Sequence, residues 1–281
     1  MADLGGRNQG RGTDTAGWWR TAIVDTSTDE IRFRGRPIEE LIGNFSIADL
    51  LWFMVMGSEP EPERSRLLEA FVVAAADFGP RAPSIAVARM AATCGLGFNG
   101  IVSSAVGMLG DVHGGAIEQS GEVIASIAGE PDIEEAARAL VADHRARGRH
   151  VPGFGHRHLE RDPRSDRLLA LVAAGGTAVD GRHAVAALAI QRQLVAALGR
   201  PVPINIDGGG AVALLSIGLP TSVFRGILCL SRSIGIIAEA HEEMQQGGRL
   251  KGPSHPRDDS VVYVGPPAIP DLAPQDQEYV G

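Results

Sequence analysis

Val151-Pro152-Gly153-Phe154-Gly155-His156-Arg157-His158-Leu159-Glu160-Arg161-Asp162-Pro163-Arg164 is the stretch on which the reading of this chain turns. Glycines at 153 and 155 admit backbone conformations that a side chain forbids, so a Pro/Gly turn there can push the His156 imidazole into a cleft. Arginines follow within reach of a carboxylate or phosphate. Taken alone, such a turn is more often an ordinary loop. Two companions give it weight: Gly110-Asp111-Val112-His113-Gly114-Gly115-Ala116 before it and Pro203-Ile204-Asn205-Ile206-Asp207-Gly208-Gly209-Gly210 after it. Together they present two histidines and one aspartate, each expected on a glycine-rich turn.

Composition narrows what these residues can do. The 281 residues suffice for one large domain or two unequal ones. Aromatics make up 5% and strand-like alternation is scarce, so a mainly α chain is expected. A net charge of −8 with no basic stripe argues against nucleic-acid binding. No apolar run is expected to span a membrane, and no charged-then-apolar leader is read at the start, so the expected compartment is the cytoplasm. Cys94 and Cys229 read as reduced core thiols. Lys251 is the sole lysine and sits in a Gly-rich segment, a poor place to desolvate an amine for Schiff-base or pyridoxal chemistry.

The expected helices are 47–56 capped by Ser46 and closed by Gly57, then 61–77, 83–94, 99–109, 116–127, 132–147, 165–174, 183–198, 210–217 and 221–246. Residues 1–16 read as a polar, Gly-rich tail and 266–281 as a Pro-rich extension.

His113, His156 and Asp207 suit acid–base work beside a carbonyl. Making or breaking a carbon–carbon bond next to a thioester needs an enol. That requires a carboxylate to move a proton at carbon, a donor for the developing oxyanion, and a second donor for the other partner's oxygen. A metal is the rival reading, since His156 and His158 stand at i and i+2. Arg157 between them opposes a dication, and neither a cysteine pair nor a His-Glu-x-x-His helix is present, so no metal is expected. Gly95-Leu96-Gly97-Phe98-Asn99-Gly100 matches a dinucleotide fingerprint in form only, because it follows a helical stretch; a helix–helix turn explains it. Arg164 and Arg232 are the expected anion anchors. Arg232 lies inside an apolar helix, where the alternative to a ligand is an ion pair with Glu239 or Glu242.

These motifs, with Phe33-Arg34-Gly35-Arg36-Pro37-Ile38-Glu39-Glu40-Leu41, His255-Pro256-Arg257-Asp258-Asp259 and Tyr263-Val264-Gly265, resemble the citrate synthase family. The nearest match is its shorter branch, the citryl-CoA lyases and the synthase-like module of ATP-citrate lyase, over roughly residues 20–264. The resemblance implies a large helical domain from 17–117 and 213–265, and a smaller inserted helical domain from 118–212. It implies that Asp207 exchanges the proton at the acetyl carbon, that His113 holds the thioester enol oxygen, and that His156 serves the oxygen of the oxaloacetate half. Arg164 and Arg232 would hold carboxylates, and Arg157 would face either coenzyme or substrate. Val151, Pro152, Gly153, Phe154 and Gly155 would meet the thioester end of coenzyme A through backbone groups.

Two departures stand out. The family usually reads Ala-Asp-His-Gly where this chain has Ala76-Asp77-Phe78-Gly79. Phe78 removes a substrate hydrogen bond worth about 1–3 kcal/mol if its partner is left unpaired, and opens the identity of the oxo-acid. His255 occupies the place where full-length synthases carry an arginine before a proline, which resembles the lyase branch.

The expectation is therefore an enzyme that cleaves citryl-CoA to acetyl-CoA and oxaloacetate. The alternatives are a citrate synthase or related acyl-CoA:2-oxo acid condensing acyltransferase, or a non-catalytic acyl-CoA-binding or partner subunit. Coenzyme A thioester is expected as substrate or product, with no permanently bound cofactor. The expected partners are an acyl-CoA, a 2-oxo or hydroxy polycarboxylic acid and further copies of the chain through C-terminal arm contacts. A separate citrate-activating subunit is left open.

Overall fold

A computed structural model describes residues 20–27, 29–156, 159–255 and 264–265. Among them, eleven α-helices dominate, and the strand content is one small antiparallel sheet. Its strands, β1 (Val24–Asp25), β2 (Arg32–Phe33) and β3 (Arg36–Pro37), pair in sequence order, Val24 opposite Phe33 and Phe33 opposite Arg36. Arg34 and Gly35, both at positive φ, make the β2–β3 turn.

The helices follow as α1 (Ile38–Leu41), α2 (Ile47–Met56), α3 (Pro62–Ala75), α4 (Pro83–Thr93), α5 (Phe98–Val106), α6 (Ala116–Gly129), α7 (Ile133–Ala146), α8 (Pro163–Ala173), α9 (Arg182–Leu198), α10 (Ile206–Ser216) and α11 (Phe224–Gln246). Local chemistry sets most of their ends. Ser46 and Asp49 close a reciprocal capping box on α2, and Gly57 ends it in the left-handed region. Proline opens α3, α4 and α8 at the positions where its missing N–H costs nothing. Asp132, Asp162 and Asn205 cap α7, α8 and α10 with side-chain oxygens.

Helix α10 is the axis of the core. Gly208 through Leu214 are buried, and the helix packs on α3, α6, α8 and α9. Phe71, Leu68, Ile117, Ile190, Leu214 and Phe224 join in one apolar cluster that draws on both of the units expected from the family pattern. A second, smaller cluster, with Ile85, Ile101 and Ile236 at its heart, ties α4 and α5 to α11.

Three expectations change. Neither cysteine is in the core: Cys94 ends α4 in the open, and Cys229 is half-buried, because each falls on the outer side of its helix. The segment Thr221–Gln246 is long and apolar enough to cross a membrane by length and composition, contrary to the sequence reading. It packs along α3, α4 and α5 and carries a buried arginine, the arrangement of a core helix. Helix α10 begins at Ile206, four residues before the expected start at Gly210. Its three glycines are there for close packing; a Cβ on Gly209 would overlap Ser165, and one on Gly210 would overlap Phe71. Gly95–Gly97 is, as read from sequence, the turn between α4 and α5.

Candidate active site

A cleft of about 920 Å³ gathers His113, His156, Asp207, Arg164 and Arg232, with Phe78, Val151, Phe154 and Gly155 also in its wall. Among the described residues, Asp207 brings the one carboxylate in that wall. The aspartate belongs to the first turn of α10 and not to a turn before it. Asn205 caps that turn, accepting from the N–H groups of Asp207 (3.0 Å) and Gly208 (3.2 Å). Burial raises the Asp207 pKa above the ordinary carboxylate value; Arg164 and Arg232 oppose the rise, and Asp162 adds to it. A carboxylate whose basicity is raised by desolvation, near two fixed cations, is equipped to take a proton from carbon.

His113 sits on the turn between α5 and α6. Its Nε2 receives the backbone N–H of Ser84 at 3.4 Å and lies 3.2 Å from the Ser84 hydroxyl. That hydroxyl accepts from Nη1 of Arg232, also at 3.2 Å, so its own proton is directed at His113. Nε2 is therefore an acceptor, and the neutral ring carries its proton on Nδ1. Burial, with the Arg232 charge second, lowers the His113 pKa and keeps the ring neutral. Arg225 of α11 fixes the same turn from outside, binding Asp111 at 2.8 Å and Glu118 of α6 at 2.7 Å.

Arg232 is buried on α11 at 7% exposure, with Nε donating to the Ala75 carbonyl at 3.2 Å. The alternative of an ion pair with Glu239 or Glu242 is not what the fold makes. Those glutamates, and Glu243, pair with Arg89 of α4. Burial pulls the Arg232 pKa down, while the charges of Asp77 and Asp207 push it back up. A desolvated guanidinium with no ion pair among the described residues is a ready anion anchor.

The Val151–Gly155 segment runs alongside residues 203–205. Asn205 N–H donates to the Gly153 carbonyl at 3.0 Å, Gly155 N–H to the Pro203 carbonyl at 2.8 Å, and Asn205 Nδ2 to the Gly155 carbonyl at 3.0 Å. Gly153 has φ +84° and its Cα side abuts Ser120 and Gly208 so closely that no Cβ fits. Several of the backbone groups expected to meet a thioester are thus spent on holding the segment in place. His156 follows; its Nδ1 accepts the Leu159 N–H at 3.0 Å, which leaves the ring proton on Nε2. Arg157 and His158 lie outside the described residues.

Arg164, at the start of α8, is held by Asp162 through both Nε (2.9 Å) and Nη2 (2.8 Å). Burial alone would raise the pKa of the fully buried Asp162, but the Arg164 bonds and charge outweigh it and hold it low. Phe78 joins the two halves of this wall. Its ring meets His156 edge-on at 5.7 Å and lies 4.6 Å from the Arg164 guanidinium. Asp77 supports it by accepting from the Phe78 and Gly79 N–H groups at 2.6 and 2.8 Å.

Sequence reasoning misses Ser84, Asp162 and the basic part of the cleft wall formed by His144, Arg145, Arg149, His150 and Arg200. The signal for that wall is present in the run of basic residues from 144 to 150, which by itself reads as a helix C-terminus only. Ser84 gives no signal, because it is placed by α4 and not by any motif around His113.

Residues 44–254 match the family model described as citrate synthase, C-terminal domain. The chain is 25% identical over 267 residues to a citrate synthase of Acidithiobacillus ferridurans, covering 93% of this chain and 64% of that one. It is 29% identical over 215 residues to a putative citrate synthase 2 of Mycobacterium tuberculosis, covering 74% and 53%. It thus spans about half to two thirds of the length of these curated relatives. Among solved structures it resembles the citryl-CoA lyase of Hydrogenobacter thermophilus (TM-score 0.80, 26% identity, 90% of this chain and 96% of that one). It shares its fold with the ATP citrate lyase of Methanothrix soehngenii, solved with citrate and coenzyme A (TM-score 0.76, 21% identity, 88% and 42%). A family match over most of the chain, on the helical architecture described above, places it: the chain belongs to the citrate synthase family.

Proposed function

We propose that this chain is an enzyme that breaks, and in reverse makes, the carbon–carbon bond of a citryl-CoA-type thioester. The products of cleavage are an acyl-CoA and a 2-oxo acid. Cleavage of citryl-CoA to acetyl-CoA and oxaloacetate is the type reaction, and condensation is the same path run backwards. The observation that carries the reading is the placement of Asp207, His113 and His156 on three separate elements around one cleft, each fixed by a hydrogen bond to a neighbour.

Each residue then has one task. In cleavage, the hydroxyl proton passes to Nε2 of His156 once that nitrogen has released its own proton to solvent, the carbon–carbon bond breaks, and the electron pair enters the thioester as an enolate. His113 stabilises that oxygen through Nδ1–H, and the carbon takes a proton from Asp207. In condensation, Asp207 removes that proton and Nε2–H of His156 protonates the new alkoxide. Arg232 holds the acid's carboxylate, and Arg164, paired with Asp162, adds its charge beside it. Arg145, Arg149 and Arg200 supply cations for the phosphates of coenzyme A, an ionic role that needs no base-specific contact.

Resemblance to the Hydrogenobacter lyase (TM-score 0.80, 26% identity) supports the lyase direction. A non-catalytic thioester-binding subunit would have no need for a neutral, tautomer-fixed His113. The exposed stripe Leu230, Ile234, Ile237 and Met244 on α11 supports a homo-oligomer, with Ile234→Glu expected to lower the mass seen by light scattering. No separate activating subunit is needed if citryl-CoA itself is supplied.

The test is incubation of the purified chain with citryl-CoA, and separately with acetyl-CoA plus 2-oxo acids, following product mass. Turnover that Asp207→Asn removes supports the reading. Binding of acyl-CoA with no turnover of any of these substrates would leave the non-catalytic alternative standing.

A further inference from the structure

Phe78 and the charges around it define what the acid can be. Its ring stands between His156, which serves the acid's oxygen, and Arg164, which covers it at 4.6 Å. A substituent on the carbon next to that oxygen therefore meets an aromatic surface. The adjoining wall, Phe71, Ala75 and Leu228, is apolar as well.

The charge balance points the same way. Two guanidiniums, Arg164 and Arg232, face the reacting centre. Arg164 is already satisfied bidentately by buried Asp162. Arg232 feels Asp77 and Asp207. With Asp207 ionised to act as base, three carboxylates oppose two guanidiniums before any ligand enters. One further carboxylate has Arg232 to bind, since no ion pair among the described residues engages it. A second would be a desolvated anion against the Phe78 ring, a surface that offers it no hydrogen bond.

Resting on the reading proposed above, we infer that the acid handled by this site is a 2-oxo monocarboxylic acid with an apolar side chain, in preference to oxaloacetate. The enol carbon of the acyl-CoA bonds to C2 of that acid, and the carbonyl pair becomes a hydroxyl that takes its proton from His156. The adduct is the coenzyme A thioester of a 2-alkyl malic acid; cleavage reverses each step, and no oxidant or reductant is consumed. The carboxylate lies on Arg232 and the alkyl group against Phe78.

Arg81, an exposed cation of the cleft wall on the turn ahead of α4, provides the sharpest challenge. Acetyl-CoA is incubated in deuterated buffer with oxaloacetate, 2-oxobutanoate or 2-oxo-3-methylbutanoate, and adduct mass and deuterium in the methyl group are both read. The monocarboxylic acids are expected to exceed oxaloacetate in kcat/KM by about tenfold or more, the discrimination an apolar pocket supplies. Phe78→Leu keeps that preference and Phe78→His moves the ratio toward oxaloacetate. A wild type that prefers oxaloacetate, or an oxaloacetate reaction that Arg81→Ala weakens selectively, overturns the inference. So does deuterium incorporation without adduct from any acid. Absence of deuterium with every acid present would instead remove the enol chemistry itself, and this inference with it.

Discussion

The Ser84 hydroxyl lies 3.2 Å from His113 Nε2, although the two residues belong to different elements 29 positions apart. Arg232 donates to the same oxygen, so the group that would anchor the acid and the group that would hold the enol share one side chain. That hydroxyl is the physical link through which filling one site would bias the other.

Ser84→Ala is accordingly expected to lower kcat/KM about 10- to 100-fold, the cost of removing a hydrogen bond to a charged or developing-charge group. The KM for the acid should rise as well, because Arg232 loses a partner. Ser84→Thr keeps the hydroxyl and should recover most of the rate. Steady-state kinetics on the pair check this; an alanine variant with wild-type constants would show the contact to be incidental.

Asp207→Asn is expected to abolish turnover and to stabilise the fold. The folded-state pKa of Asp207 is raised, so the unfolded chain gives up that proton at lower pH than the folded one. Above the raised value the ionised group costs stability, and the cost vanishes as pH falls to the unfolded value. The variant should therefore gain most in Tm on the alkaline side and nothing near the pH at which an ordinary carboxylate titrates. The wild type's condensing activity should fall as acid protonates the same carboxylate. Thermal scans across pH provide the measurement.

Gly153→Ala is expected to cost about 2–5 kcal/mol, combining a left-handed backbone with overlap against Ser120 and Gly208. Gly176→Ala is the matched control: its φ is also positive, at +62°, but nothing lies within 4 Å of the added methyl. Urea midpoints should separate the two. Similar losses would mean that strain alone, and not the close approach, decides position 153.

Arg89→Met is expected to cost about 3 kcal/mol. It strips the buried Glu243 of one of its cations and leaves Glu239 and Glu242 facing each other without the arginine between them. The Lys251 bond, then the Arg89 bond and charge, hold the Glu243 pKa below its ordinary value against the pull of burial. The stability they give is full above the unfolded carboxylate pKa and is lost as pH falls through the depressed one. The variant should thus lose stability at neutral pH and show a shallower acid limb, read from chemical unfolding at several pH values.

Much of the fold and of the site is legible in the amino-acid sequence. Ser46 and Gly57 mark both ends of α2, and Pro83 marks the start of α4. The two histidine turns and the aspartate motif do meet in one cleft. The misreadings have physical causes. Gly208 and Gly209 read as part of a turn ahead of a helix starting at Gly210, yet α10 runs through them from Ile206, and Gly153 and Ser165 leave no room for side chains there. Local propensity loses to packing there. Arg232 has glutamates further along its own helix as sequence-local partners, but Arg89 of α4 takes those carboxylates. Partners supplied from distant sequence, Ser84 above all, leave no periodic trace.

The ladder that joins residues 153–155 to residues 203–205 has a further consequence. It welds the His156 loop to the first turn of α10, so the spacing between His156 and Asp207 is set by main-chain bonds rather than by a ligand. His113 is fastened elsewhere, to α4 and, through Arg225, to α11. If the cleft breathes, one rigid jaw carries the acid's donor and the carbon base together, and the oxyanion donor rides on the other. Substrate length would then be gauged by the gap between jaws, while the proton-transfer geometry within the first jaw stays fixed through every cycle.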